Sequence, residues 1–162
     1  MSRIDATRRR FLGATAAIAA GFAGCAGGAN SGSDTDSASG SSDGGSPPSF
    51  DGYLAETSNY DGVADRTGAS ETTVEVGVEA NGAYYGYGPA AIRVSTGTTV
   101  VWEWTGQGSL HNVVAEDGAF SSEQVREAGH TYSRTFEEPG TVKYYCTPHE
   151  TLGMKGVVIV EE

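Results

Sequence analysis

Cysteine, histidine, methionine and lysine are all scarce in these 162 residues: two cysteines, three histidines, two methionines and two lysines. Two cysteines allow one disulfide at most. Ten basic residues stand against 21 acidic ones, for a net charge of −11. Such a chain repels phosphate rather than neutralising it, which disfavours nucleic-acid binding. No apolar run reaches the roughly twenty residues that a membrane-spanning helix needs. No Asn-X-Ser/Thr glycosylation sequon occurs anywhere in the chain.

What is present is concentrated near the C-terminus. Cys146, His149 and Met154 fall within one run, Tyr-Tyr-Cys-Thr-Pro-His-Glu-Thr-Leu-Gly-Met-Lys-Gly, and His111 stands upstream in His-Asn-Val-Val. Thiolate and thioether sulfur favour Cu(I), and imidazole serves both oxidation states. A trigonal site of two imidazoles and one thiolate, with a weak axial thioether, suits electron exchange. Strand-like runs at 141–145 and 157–160 flank the loop, so three donors come from one compact turn and His111 from another strand. Gly153 and Gly156 give the return its backbone freedom, and Pro148 stiffens the stretch between two donors. Taken singly, Cys146 reads as a small buried hydrophobe, Met154 as core filler and His111 as an interior histidine. Their joint spacing favours a metal. A structural zinc site would offer more Cys or His and no thioether.

The run 144–160, together with residues 111–114, resembles the small blue-copper proteins of the cupredoxin superfamily, such as plastocyanins and the halocyanins of halophilic archaea. The resemblance implies an all-β, cupredoxin-like Greek-key β-sandwich holding one copper ion on His111, Cys146, His149 and Met154. It also implies that Asn112 fixes the ligand loop and hydrogen-bonds near the thiolate. Electrons would pass at an exposed His149, within an apolar docking rim of Leu110, Pro148, Leu152 and Gly153. His130 has no neighbouring donor types and reads as a surface or turn residue. The histidines are too few for a second copper centre, and the loop lacks the second cysteine of a binuclear one. An oxidase or reductase is therefore not expected.

The N-terminal part says where such a protein works. Thr-Arg-Arg-Arg-Phe-Leu at 7–12 resembles a twin-arginine export signal and precedes a short apolar stretch. That stretch ends in Phe-Ala-Gly-Cys, which resembles a lipobox with Cys25 as the lipid-attachment residue. Phe22 departs from the aliphatic residue usual there, so cleavage by an ordinary signal peptidase stays open. Residues 1–24 are expected to be removed, and the mature net charge becomes −14. Residues 25–49, rich in Ser, Gly and Asp, have almost nothing apolar to bury and are expected to form a disordered tether. As a flexible coil it would reach roughly 25–30 Å.

Residues 50–162 are long enough for one domain with a single core. Strand signals recur at 73–78, 91–94, 98–104, 111–115, 131–136, 141–145 and 157–160. Val100, Trp102 and Trp104 alternate with Thr99, Val101 and Glu103, which places the tryptophans in the core. Residues 122–127 read as a short helix, while 50–70 and the Gly-broken Tyr84, Tyr85 and Tyr87 receive no assignment. The acidic, lysine-poor composition resembles that of a halophile's protein. In molar salt the Debye length is about 3 Å, so docking would depend on short-range apolar contact. The expected protein is a membrane-tethered, monomeric, one-electron carrier on the outer face of the cytoplasmic membrane, exchanging electrons with membrane redox proteins. Copper storage or delivery is the rival function, and a metal-free adhesive sandwich the third.

Overall fold

The computed structural model describes residues 48–162. The expected export signal at 1–24, the expected lipid-attachment residue Cys25 and residues 26–47 of the expected tether lie outside the described residues. Among the described residues no helix is long and apolar enough to cross a membrane.

Among the described residues nine strands form two sheets. The first orders β1 (Ala64–Asp65), β4 (Ala91–Ser95), β9 (Lys155–Glu161), β8 (Gly140–Tyr145) and β6 (Val114–Ala115). The second orders β3 (Ala83–Gly88), β2 (Glu71–Ala80), β5 (Thr98–Trp104) and β7 (Thr131–Phe136). Parallel pairs, β2 with β5 and β4 with β9, sit among antiparallel ones. The sheets pack face to face as a β-sandwich, the architecture the sequence led us to expect. β2 and β5 carry β-branched or aromatic residues at every second position, and their inward residues help make the core. Val74, Val76, Val100, Trp102 and Trp104 of the second sheet meet Ile92, Val94, Tyr144, Val158 and Val160 of the first. Trp102 and Trp104 are both buried, as their alternation predicts.

β9 is apolar on both faces, Val157 and Ile159 on one and Val158 and Val160 on the other, which suits a central strand of a covered sheet. The cover is the segment that the sequence left unassigned. Phe50, Tyr53, Leu54, Tyr60 and Val63 pack against Ala91, Val157 and Ile159 in a second apolar cluster outside the sandwich. A short 3-10 turn, Phe50–Gly52, begins this arm.

Residues 122–127 are not helical. His111 and Val125 exchange both backbone hydrogen bonds, 2.8 and 3.0 Å, so tertiary pairing extends this segment. Of the expected strand at 111–115, only Val114–Ala115 joins the sheet. The tyrosine-rich stretch is a true strand, β3, paired with β2. Its glycines are functional to the packing: a Cβ at Gly86 would lie 2.6 Å from Ala80 Cβ, and one at Gly88 2.9 Å from Val78 Cγ1. Glycine in a strand marks such close approach.

Candidate metal centre

At one end of the sandwich β8 runs into Cys146, and a 3-10 turn, Thr147–Leu152, carries His149 back toward β9. The turn ends at Gly153, whose left-handed φ of +90° is open to glycine at little cost. Its position is doubly constrained, because a Cβ there would sit 2.2 Å from the Glu56 carbonyl oxygen. His111 enters from the neighbouring segment, held in register by its bridge to Val125.

Three donor atoms face one another. His149 Nδ1 lies 3.2 Å from His111 Nδ1, and Cys146 Sγ lies 3.5 Å from the first and 3.7 Å from the second. A point equidistant from all three is about 2 Å from each, an ordinary bond length from a first-row metal to imidazole nitrogen. His111 and Cys146 are almost wholly buried, and His149 is 7 % exposed. Met154 is fully buried in the same core cluster as Cys146, and its carbonyl accepts the Cys146 N–H at 3.1 Å.

Electrostatics suit a metal. Burial lowers the pKa of both histidines; at His111 a hydrogen bond to Gln107 opposes this and His149 adds to it. Both rings therefore stay neutral with lone pairs to offer. Burial pushes the Cys146 thiol up to about 11, against small opposing hydrogen bonds from the Asn112 and His149 backbones. A metal would displace that proton.

Further contacts hold the donors. Only the nitrogen of His111 can donate to a carbonyl, so its Nε2–H points to Gln107 O at 3.0 Å and leaves Nδ1 for the centre. Such outer contacts fix ligand orientation. The backbone at Gly77 and Gly108 wraps that ring: Cβ atoms there would lie 3.4 and 2.7 Å from Nε2. Gly77 is also where β2 bulges against β3. Asn112 ties the two ligand segments together, accepting from Thr147 N–H at 2.8 Å and donating to Thr147 Oγ1 at 3.1 Å. Tyr85 stacks on the His149 ring at 4.2 Å and 19°. Sequence reasoning missed Gln107, Gly77, Gly108 and Tyr85.

The expected rim is distributed differently. Leu110 and Leu152 are 44 % and 47 % exposed, Pro148 is exposed, and Tyr84 adds a further exposed ring at 42 %. Gly153 is buried beneath the Glu56 carbonyl, and His149 is covered by Tyr85 rather than exposed. His130 is half-buried, its ring edge-on to Trp104 at 4.9 Å and apart from the donor cluster.

Comparison with known proteins agrees with this chemistry. Against the halocyanin of Natronomonas pharaonis the chain is 51 % identical over 106 residues, which are 63 % of this chain and 64 % of that protein. The match thus spans a little under two thirds of that relative's length. The plastocyanin of Scenedesmus fuscus is 30 % identical over 101 residues, 56 % of this chain and all of that one. Among solved structures, a mutant plastocyanin of fern is 27 % identical with a TM-score of 0.48, covering 56 % of this chain and 100 % of its own. Residues 72–161 match the family described as copper binding proteins of the plastocyanin/azurin type. That match covers more than half of the chain and includes His111, Cys146, His149 and Met154, so the protein belongs to the plastocyanin/azurin family of copper-binding proteins.

Proposed function

We propose that the protein is a one-electron carrier and not an enzyme, tethered through Cys25 to the outer face of the cytoplasmic membrane, where it exchanges electrons with membrane redox proteins. The carrying observation is the buried, inward-facing triangle of His111 Nδ1, His149 Nδ1 and Cys146 Sγ. His111, Cys146 and His149 would hold copper there, with Met154 a fourth and weaker donor, and the ion would supply a Cu(II)/Cu(I) couple. Cys146 gives up its proton to bind and remains a thiolate. Gln107 holds the His111 ring, Tyr85 holds the His149 ring, and the Asn112–Thr147 pair pins the loop. A frame so constrained moves little when an electron arrives or leaves.

Burial also favours transport over catalysis, since water and substrate have little room to reach the donors. Electrons pass at the His149 side, where Leu110, Leu152 and Tyr84 present apolar surface to a partner. The strongly acidic chain acts as a monomer and avoids nucleic acid. Membrane attachment is supported by the twin arginines and by the Phe-Ala-Gly-Cys sequence before the tether.

The test is the visible spectrum of the purified chain after adding Cu(II), then ascorbate, then a mild oxidant. An intense blue band that bleaches and returns with copper retained is expected. Pale colour, or copper lost on reduction, would favour storage or delivery and refute the carrier.

A further inference from the structure

The arm before the family-matched region touches the ligand loop from behind. Tyr53 Oη donates to the carbonyl of Tyr144, two residues before Cys146, at 2.9 Å. Thr57 Oγ1 donates to the carbonyl of Gly153, one residue before Met154, at 2.9 Å, and Thr57 is itself buried. Ser58 and Asn81 exchange hydrogen bonds of 2.8 and 2.6 Å, and Asn81 Nδ2 donates to the carbonyl of Tyr85, the ring stacked on His149. The chain's two lysines, Lys143 and Lys155, each place Nζ 5.2 Å from the Tyr53 ring centroid.

We propose that residues 53–59 are a working part of the metal centre and that Thr57 is a positioning residue for it. A 3-10 turn has poor internal hydrogen-bond geometry and holds its own shape weakly. Gly153 O has one other contact, the Lys155 N–H two residues on, so Thr57 is the long-range anchor of the peptide that delivers Met154. The arm thereby acts on both ends of the loop: through Tyr53 on the approach to Cys146, and through Thr57 on the return. Glycine at 153 fits this role, since its missing Cβ lets the Glu56 carbonyl lie against the loop.

This inference rests on reading the site as a copper centre, and its test separates the two. Thr57→Val keeps the side-chain shape and deletes the hydroxyl; Thr57→Ser keeps the hydroxyl. In the metal-free full chain, amide exchange at Gly153 and Met154 is expected to be about fivefold faster in the valine variant, the worth of one hydrogen bond. In the copper-loaded chain, valine is expected to change the visible band ratio and weaken Cu(II) affinity about tenfold, the lower end for an outer contact. Serine should restore all three. Faster exchange with unchanged spectrum and affinity would reduce the arm to a prop and overturn the proposal, as would no change at all. A wild-type protein that binds copper without a blue band would refute the carrier reading; affinity and exchange would still decide the arm's part.

Discussion

Replacing Gly153 by alanine separates two costs that the structure keeps together. An alanine there must adopt a left-handed φ of +90°, and its Cβ must displace the Glu56 carbonyl, 2.2 Å from oxygen and 2.9 Å from carbon. The first cost is about 1–2 kcal/mol. The second is larger, because the obstacle is backbone: moving it breaks the buried Thr57 hydrogen bond and adds about 1–3 kcal/mol. Gly97 supplies the control, with a φ of +82° and nothing within 4 Å of its would-be Cβ. In urea unfolding of the metal-free chain, Gly97→Ala is expected to lose about 1–2 kcal/mol and Gly153→Ala about 2–5 kcal/mol. Copper affinity should fall only in the second variant. Equal losses would mean that the arm does not press on the ligand loop.

Two further outcomes concern the donors. Met154→Leu preserves volume, so stability should change by less than about 1.5 kcal/mol; copper and colour should persist while the reduction potential, read by redox titration, rises. Loss of copper in that variant would count against Met154 as a weak donor. The alkaline limit of the metal-free protein should depend on Cys146. Its folded pKa, raised by burial to about 11 from 9.0, lies above the unfolded value. The associated stability is therefore complete below pH 9 and lost as pH rises through 11. The buried phenols of Tyr87 and Tyr144, also raised by desolvation, push the same way. Comparing urea unfolding at pH 8 and 11, the metal-free wild type should lose about 2 kcal/mol more than Cys146→Ser, which lacks the titrating thiol. Identical losses would refute the buried-thiol account.

The sequence announces those parts of the molecule whose identity is chemical. A thiol, two imidazoles and a thioether at fixed spacing name their own purpose, and the structure brings His111, Cys146 and His149 together as that spacing implies. Strands with β-branched alternation, such as Thr98–Trp104, were equally plain. What escaped depends on contacts between distant residues. Thr57 and Gly153 are 96 positions apart, and Tyr53 and Tyr144 are 91 apart. No local pattern encodes such pairs. β3 was hidden by its glycines, although Gly86 and Gly88 were themselves the signal of a strand packed too close for side chains. Residues 122–127 carried weak helical character that lost to backbone pairing with His111.

The site's donors and the site's rigidity therefore have different origins. The donors lie within the family-matched region, as does Gln107, which orients His111 through a backbone carbonyl that any residue could supply. The brace at Gly153 comes from outside it, from the segment that precedes the first long strand. On the proposed carrier reading, in which both oxidation states share one geometry, a contact that fixes the returning peptide would act on the redox couple without touching the metal. The arm's polar anchors also explain why its sequence looks irregular: Tyr53, Thr57, Ser58 and Asn59 are spaced to reach separate points on the sandwich rather than to form a regular element.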